Sequence, residues 1–461
     1  MTLTLVLPES LAVDIEAAAR EGLETAGVIL ATYVEAPNGD RRLLGREIIM
    51  VKAEAYIARH CDHLSIASSG YVAALGEAEK LGAVAIWFHT HPGEHGVPMP
   101  SQADRIVDKE ISDLFRLRSG SPFYGALIVS PRPAGIAFSG ALYPEDGRPQ
   151  PLDRLWRIGE DWRLTRAYDA PGEPLSEIFD RNIRAFGTGV QATLGDLRVV
   201  IVGCGGTGSA VAEQLVRLGV RHLLLADADT LSASNVTRVY GSTPGDVGRP
   251  KAEVLRDHLS TIAPDLVCET RDGMITMEAV ARGLQGHDLV FGCTDDNAGR
   301  LVLSRLASYL LTPVIDIGVL LSSDAAGALT GIDGRVTVLS PGSACLVCRD
   351  RVDLQRAAAE LRTPEERRRL EDEGYAPALR GVEPAVVAFT TAVAAAAVNE
   401  LLERLVGYGS SPRPTEVLLR LHEREISTNT AAPRPHHYCH PANHRLGAGP
   451  CHPFLEQTWP T

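Results

Sequence analysis

The sequence predicts an α/β protein whose larger part has a mainly parallel sheet, and three features carry this prediction. An apolar run, Val199–Val202, has the length of a buried strand and leads into a glycine-rich turn and a stretch with helical periodicity. A second strand pattern, His222–Ala226, ends at Asp227, about 20 residues after the last glycine, where nucleotide-binding sheets place a ribose-binding acid. Alternating helix and strand patterns between Leu11 and Phe88 predict a separate α/β domain before it.

Length and composition predict about two or three globular domains. The chain has 461 residues, eight cysteines and a formal net charge of −13. This charge argues against a nucleic-acid partner, because phosphate backbones require a basic surface. Eight cysteines in so long a chain do not indicate a disulfide framework. The first residues contain no basic leader, and the apolar stretch Ala385–Val398 is short for a membrane span, so we expect a soluble cytoplasmic protein without membrane association.

The first predicted domain covers residues 1–146 and carries a set of metal-binding residue types. A strand, Ala83–Phe88, leads into His89-Thr90-His91-Pro92, and Ser101 and Asp104 follow. Upstream, Glu24 stands where the chain enters an apolar strand. Two histidine nitrogens and one carboxylate leave a fourth zinc position open for a water molecule, whose pKa zinc lowers towards neutrality. A separate carboxylate must then transfer the proton.

The pattern Glu…His-x-His-Pro…Ser-x-x-Asp resembles the JAB/MPN (JAMM) metalloprotease family, zinc isopeptidases that cleave after ubiquitin-like C-termini. The resemblance implies two histidine ligands and one carboxylate ligand for a catalytic zinc: His89, His91 and Asp104. It also implies Glu24 as the general base and Ser101 as the group that polarises the scissile carbonyl. The loop before Ser101 is longer than in eukaryotic members and contains His95, which we interpret as a solvated residue. The alternative is that His89 and His91 are satisfied core histidines.

Residues 147–172 are predicted to be a linker, because Pro149, Pro151 and Pro171 punctuate a short charged segment. Trp156 and Trp162 within it indicate packing against one of the domains.

The second predicted domain covers residues 173–428 and contains the glycine turn. Its glycines let the backbone approach a phosphate, and the following helix presents free N–H groups to the anion: Gly203, Gly205, Gly206 and Gly208. Downstream come Ser-Asn235-Val-Thr-Arg238, then Gly-Arg-Pro-Lys251, and then Cys293-Thr-Asp295-Asp-Asn with Arg300.

This series of spaced motifs, over roughly Glu173–Val406, resembles the ThiF-like superfamily of ubiquitin-activating enzymes, which adenylate the C-terminal carboxylate of ubiquitin-like and sulfur-carrier proteins. The resemblance implies an ATP site in which Asp227 holds the ribose and Asp295 holds Mg²⁺. It assigns the ATP phosphates to three side chains: Asn235, Arg238 and Lys251. A carboxylate is already a nucleophile, so Arg238 and Lys251 would serve by neutralising phosphate charge. The alternative is an NAD-type fold with surface charges.

The helix Ile178–Gly187 resembles the family segment whose arginine reaches the ATP of the other subunit. Arg181 is therefore the predicted contact across a homodimer. The charged stretch Arg349–Tyr375 is interpreted as a solvated helical excursion, and the alanine-rich helix Ala385–Val406 as a core and dimer helix.

Cys345-x-x-Cys348 resembles half of the family's structural zinc site. Residues 429–461 form a Cys/His-containing tail from which Cys439 and Cys451 would complete four thiolates, with His440 as the alternative to Cys451.

Together these motifs predict a fused enzyme that requires zinc, ATP and Mg²⁺. Its N-terminal part would trim or remove a ubiquitin-like or sulfur-carrier protein with a C-terminal glycine, and its C-terminal part would adenylate the exposed carboxylate. The alternatives are a peptide-modifying adenylyltransferase, an NAD-dependent oxidoreductase and a scaffold with inactive sites.

Many ubiquitin-activating enzymes pass the acyl group to their own cysteine after the C-x-x-C strand. No cysteine stands between Arg349 and Tyr438 in this chain. We therefore expect activation to stop at the acyl-adenylate, with transfer to an acceptor that resembles a conjugating enzyme.

Overall fold

The computed structural model describes residues 1–93, 96–133, 135–167, 176–362, 366 and 385–459. The chain divides into two compact units, Met1–Glu173 with Gly447–Gly449, and Pro174–Leu446 with Pro450–Thr461. His95, the predicted boundary at residues 172 and 173, and most of the predicted helical excursion after residue 362 lie outside the described residues. Among the helices that are described, none is both long and apolar enough to cross a bilayer.

The first unit contains a mixed sheet and a separate two-stranded hairpin. Its strands are β1 Leu3–Pro8, β2 Ala26–Glu35, β3 Arg41–Met50, β4 Tyr56–Arg59, β5 Leu64–Ile66, β6 Val84–Thr90, β7 Phe123–Arg132, β8 Gly135–Pro144, β9 Gln150–Pro151, β10 Arg154–Ile158 and β11 Arg163–Arg166. Its helices are α1 Glu9–Ala19, α2 Val72–Leu81 and α3 Gln102–Ser119. The main sheet has the order β11-β10-β1-β3-β2-β6-β7-β8-β9, and β4 pairs with β5.

Both faces of this sheet are covered, which explains why its central strands are apolar throughout. Along β2, Val28 and Leu30 belong to a buried cluster with residues of α2 and α3. The alternate residues Ile29 and Ala31 belong to a second cluster with residues of α1. Successive side chains of a strand point to opposite faces, so one strand contributes to two cores.

The segment predicted to be a linker differs from the prediction, because it supplies three strands, β9 to β11, to the first sheet. Strand β10 pairs in parallel with β1, with Thr4 opposite Arg154 and Pro8 opposite Ile158. Trp156 is fully buried, as the sequence indicated that it packs on a domain. The proline that suggested a linker, Pro151, lies in the edge strand β9, where a missing N–H breaks no ladder.

The second unit is built on a sheet with the order β14-β13-β12-β15-β16-β17-β18-β19. Its strands are β12 Arg198–Val202, β13 His222–Asp227, β14 Val267–Asp272, β15 Leu289–Gly292, β16 Val314–Ser323, β17 Leu329–Leu339, β18 Glu416–Arg420 and β19 Glu425–Asn429. Its helices are α4 Asp180–Asp196, α5 Gly206–Leu218, α6 Lys251–Ile262, α7 Glu278–Arg282, α8 Asn297–Tyr309, α9 Leu354–Glu360 and α10 Val387–Val406.

The predicted parallel sheet is confirmed for β12 to β16, and β17 to β19 extend it with antiparallel pairs. The strand order reverses between β12 and β15, since the chain continues from β12 to β13 on one side and returns to β15 on the other. In open α/β sheets, ligands bind at this reversal, outside the carboxyl ends of the strands. The fold therefore places the candidate nucleotide site between the ends of β12 and β15.

Candidate functional site

The turn after β12 requires glycine at two positions for steric reasons. Gly203 has a φ of +91°, and a Cβ atom there would lie 2.7 Å from the carbonyl oxygen of Cys293, which follows β15. A Cβ atom on Gly208 would lie 1.8 Å from the carbonyl oxygen of Gly203. The backbones of the turn, of α5 and of the β15 loop are thus in direct contact. This close packing forms the floor of the crevice between β12 and β15.

Arg238 and Thr390, a residue of α10, border the start of α5. A Cβ atom on Gly206 would lie 3.3 Å from Cδ of Arg238 and 3.2 Å from the hydroxyl of Thr390 in α10. Helix α5 begins at Gly206, so its first N–H groups have no partner within the helix. A guanidinium group next to these donors is suited to an anion such as a phosphate.

Asp227, the predicted ribose ligand, braces the glycine turn. Its carboxylate accepts hydrogen bonds from the backbone N–H of Cys204 at 2.6 Å and of Asp229 at 2.8 Å. Burial raises the pKa of Asp227, although these hydrogen bonds act in the opposite direction. The carboxylate therefore fixes the relative position of the turn and the end of β13.

Asp229 was not selected from the sequence, and it is the more exposed of the two acids. Its carboxylate lies 2.6 Å from the ammonium nitrogen of Lys251, the first residue of α6. The backbone N–H of Lys251 also donates to the carbonyl oxygen of Asp229 at 3.0 Å. The second acid of the Asp-Ala-Asp sequence was the only signal for this residue.

Three other predicted ATP contacts occupy different environments. Asn235 is buried, and its side-chain oxygen accepts from the N–H of Ser232 at 3.0 Å, which caps a 3₁₀ turn. Asp295 is exposed and follows the end of β15, which borders the same crevice as Gly203. Arg181 is exposed near the start of α4.

The first unit brings two histidines and a carboxylate together at the end of β6. Nε2 of His89 lies 3.2 Å from Nε2 of His91 and 3.3 Å from Oδ1 of Asp104. His91 approaches the other oxygen of Asp104 at 3.6 Å. Burial alone would raise the pKa of Asp104, but hydrogen bonds and charge from the two histidines lower it well below its usual range. A cleft of about 130 Å³ adjoins His89.

Ser101 and Asp104 form the capping box of α3. The Ser101 hydroxyl accepts from the N–H of Asp104 at 3.1 Å, and the Ser101 N–H donates to Asp104 at 2.7 Å. This box holds the carboxylate towards the histidines while it satisfies the first donors of the helix. The Ser-x-x-Asp spacing therefore has a structural role in addition to the predicted chemical one.

Glu24 is buried immediately before β2, the neighbour of β6 in the sheet. Its N–H donates to the carbonyl oxygen of His60 at 2.8 Å, and its own carbonyl oxygen accepts from Nε of Arg59 at 2.8 Å. Burial raises the pKa of Glu24, and the charges of His89 and His91 partly oppose this. Glu24 thus interacts electrostatically with the histidine cluster without belonging to it.

The second unit contains a compact thiol cluster, and it corrects one predicted ligand. Nδ1 of His437 lies 3.5 Å from the sulfur of Cys345, 3.4 Å from that of Cys348 and 3.3 Å from that of Cys439. All four ligand atoms lie within 4.8 Å of one another. A hydrogen bond from Cys439 lowers the pKa of Cys345. Three thiols and an imidazole match a tetrahedral zinc site.

Cys451 and its alternative His440 are not members of this cluster. The chain turns at His437 and Cys439, so that two side chains separated by one residue face the Cys-x-x-Cys loop. Sequence patterns do not predict this pair of ligands, since a single His-x-Cys has no specific metal spacing.

The second unit is an α/β domain with a glycine turn at a topological switch point, an arrangement typical of nucleotide-binding sheets. The ThiF family model matches residues 179–441 of this chain. The chain therefore belongs to the ThiF family, as its motifs indicated. The match does not extend to the histidine cluster of the first unit.

Curated relatives match part of this region. The molybdopterin-synthase adenylyltransferase of Escherichia coli K12 is 33% identical over 172 residues, which are 37% of this chain and 65% of that protein. The sulfur carrier protein ThiS adenylyltransferase of the same organism is 32% identical over 33% of this chain and 56% of that protein. The ubiquitin-like modifier-activating enzyme 5 of Oryza sativa subsp. japonica is 34% identical over 33% of this chain and 38% of that protein. The chain thus spans less than two thirds of their lengths.

Among solved structures, Escherichia coli MccB with ATP is similar over 59% of this chain and 76% of that chain, at 18% identity and a TM-score of 0.45.

Proposed function

We propose that the second unit catalyses ATP-dependent adenylation of the C-terminal carboxylate of a ubiquitin-like or sulfur-carrier protein that ends in glycine. The observation that supports this most is the Lys251–Asp229 pair beside a glycine turn braced by Asp227. The printed names of the relatives, which include adenylyltransferases and a modifier-activating enzyme, support the same class of reaction.

In this reaction the carboxylate attacks the α-phosphorus of ATP, and pyrophosphate leaves. The carboxylate carries no proton, so the site needs no general base; it needs placement and neutralised phosphate charge. Lys251 and Arg238 would supply positive charge to the phosphates, and the N–H groups at the start of α5 would bind phosphate oxygens. Asp295 would hold Mg²⁺, which adds further positive charge when bound.

Exchange of labelled pyrophosphate into ATP tests this proposal. The full chain is incubated with ATP, Mg²⁺ and a panel of small proteins and peptides that end in Gly-Gly, together with versions that lack the last glycine. Exchange that depends on the terminal glycine supports the proposal, and a preference for peptides indicates a peptide-modifying adenylyltransferase. Binding of NAD without any exchange would indicate an oxidoreductase instead.

For the first unit we propose a zinc-dependent peptidase that releases the C-terminus of the same modifier. The observation that favours it is the convergence of His89, His91 and Asp104 within 3.6 Å, next to the buried Glu24. When bound, zinc would activate a water molecule. Glu24 would accept its proton, and Ser101 would lie at the edge of the metal site. Joining both activities in one chain raises the local concentration of the trimmed product.

A structural zinc ion at Cys345, Cys348, His437 and Cys439 is also part of the proposal, because three thiols with one imidazole at these distances satisfy a tetrahedral ion.

We further propose a homodimer in which Arg181 reaches the partner's ATP. The exposure of Arg181 supports this, and so do the small side chains of α10, which permit close helix packing. Light scattering of the full chain measures the dimer directly.

A further inference from the structure

Two arginines share one buried carboxylate on the strand next to the nucleotide crevice. Asp316, in β16, is completely buried. Its Oδ2 atom lies 2.5 Å from a guanidinium nitrogen of Arg335 in β17, and its Oδ1 atom lies 3.5 Å from Nε of Arg300 in α8. Within the described part of the chain, this Nε atom is buried and has no hydrogen-bond partner. The carboxylate thus neutralises only one of two positive charges.

Both guanidinium groups border the same small space above Gly318. A Cβ atom on this glycine would lie 3.4 Å from a terminal nitrogen of Arg335 and 3.6 Å from one of Arg300. The glycine therefore leaves room between two like charges at van der Waals distance from each. An anion in this space would be attracted by both groups.

The surrounding charges do not remove this surplus. A second carboxylate that acts on Arg335, Glu416, is buried and already paired with Arg351 at 2.8 Å. Burial lowers the pKa of Arg335, with Asp316 and Glu416 opposing this effect and Arg300 and Arg351 adding to it. The three arginines outnumber the two carboxylates, and a fourth arginine, Arg349, also acts on Glu416. A surplus positive charge in such a largely buried location is costly without a partner anion.

This space adjoins the site where the carboxylate must react. Asp316 is the register partner of Gly292, the last residue of β15. The next residue, Cys293, has its carbonyl oxygen against Gly203 of the nucleotide turn. Arg300 lies in the first turns of α8, shortly after Asp295. The arginine pair, held by Asp316, thus lies beside the carboxyl end of β15, which borders the crevice.

We propose that Arg300 and Arg335 bind the C-terminal carboxylate of the incoming protein or peptide and position it for attack on the α-phosphorus. The inference rests on the proposed adenylation. Planar guanidinium groups match the two oxygens of a carboxylate. In the reaction one carboxylate oxygen bonds to the α-phosphorus, the bond from this phosphorus to the bridging oxygen breaks, and pyrophosphate takes the electron pair. The acyl phosphate carbonyl that results is uncharged, so the arginines release it.

A pair of peptides that differ only in the terminal charge tests this inference. The probes are a ten-residue synthetic peptide that ends in Gly-Gly with a free carboxylate, and the same peptide with a C-terminal amide. Calorimetric titration into the full chain, with and without α,β-methylene ATP, measures both dissociation constants. For the wild-type chain we expect the acid to bind at least roughly tenfold more tightly than the amide, as a charge-assisted hydrogen-bond pair provides.

Arg300→Gln and Gly318→Ala should abolish this preference while the dissociation constant of the nucleotide changes less than about twofold. Gly318→Ala keeps every charge and fills the space, so it still tests the inference if Arg300→Gln does not fold. Arg420→Gln, on the exposed part of the same sheet, is the matched control and should behave as wild type.

The inference is overturned if wild type does not bind the acid peptide more tightly than the amide. It is also overturned if both variants keep the wild-type preference for the acid peptide. A large loss of nucleotide affinity in Arg300→Gln would also overturn it and assign the arginines to the phosphates. Absence of nucleotide binding in wild type contradicts the proposed adenylation instead, and the preference measured without nucleotide still decides the role of the arginines.

Discussion

Lys251 is attached to Asp229 twice, through its side-chain ammonium at 2.6 Å and through its backbone N–H at 3.0 Å. The double contact fixes the first residue of α6 beside the carboxyl end of β13. In the proposed reaction, the ammonium is therefore already positioned at the crevice before ATP binds. The partner carboxylate is mostly exposed, so the pair exchanges partners at little cost when phosphate arrives.

Replacing Lys251 with methionine should weaken ATP binding about tenfold or more and lower pyrophosphate exchange about a hundredfold, because the phosphate loses a preorganised positive charge. Arg249→Met is the matched control, since Arg249 is two residues away and pairs with Asp246 and Asp257 on the surface. Titration with α,β-methylene ATP and the exchange assay measure the two effects. Equal losses in both variants would contradict a specific role for Lys251.

His437→Ala should remove one zinc equivalent per chain and lower the thermal midpoint, because a tetrahedral site with three ligands binds metal weakly. His440→Ala should leave zinc content unchanged, since His440 is outside the cluster. Metal analysis of both purified variants by mass spectrometry gives the result. Loss of zinc in His440→Ala with full retention in His437→Ala would instead favour the alternative set from the sequence, in which His440 takes the place of Cys451.

Glu24→Gln should retain the zinc of the first unit and abolish cleavage of a modifier fused at its C-terminus, because the general base is not a metal ligand. The control is Glu21→Gln, an exposed residue paired with Arg59, which should cleave normally. Cleavage is followed on gels, with zinc content measured on the same samples. Wild-type cleavage by Glu24→Gln would show that this carboxylate is not the base.

No thiol-sensitive adduct should form between this chain and its modifier. Burial raises the pKa of Cys204 and Cys293, and it raises the pKa of Cys268 to about 12, so these thiols are not nucleophilic near neutral pH. The chain is incubated with ATP, Mg²⁺ and a Gly-Gly partner, and run on a non-reducing gel. A covalent band that disappears in one Cys→Ala variant would disprove the prediction.

The buried Glu416 should make stability depend on pH in the acid range. Burial acts to raise its pKa, but hydrogen bonds from Arg351 and Asn429 lower it to about 2. A lowered folded-state pKa contributes stability above the unfolded value, and this contribution disappears as pH falls towards 2. Glu416→Gln should therefore cost roughly 3 kcal/mol near pH 7 and less than half of that near pH 3. Denaturant titrations at both values test this; a cost independent of pH would contradict it.

Local patterns predicted the elements that carry the candidate chemistry. The run Val199–Val202, the turn at Gly203 and the strand that delivers His89 lie close to where the structure has them. Each is specified by neighbours in sequence, through apolar runs and steric limits on glycine. These elements can be predicted from the sequence because the residues that specify each strand or turn lie within that same short segment.

Features that depend on distant partners were not predicted. His437 can be recognised as a candidate metal ligand only from its position beside Cys345, which is 92 residues away in the sequence. The outer part of the β16–β17 hairpin is another such feature, because it pairs Ser322 with Gly331 although neither residue is apolar. The strands β9 to β11 were hidden for a related reason, since prolines and charges at a sheet edge resemble those of a linker.

The pairing of β1 with β10 has a consequence for how the first unit is made. Synthesis on a ribosome delivers β1 first, and β3 can cover one of its edges early. The other edge stays open until Ile158 has emerged, because its partner is β10. An apolar strand with an unpaired edge is prone to pair with other chains. A nascent or truncated chain that stops at residue 146 would thus keep this edge permanently open and depend on chaperones to remain dispersed.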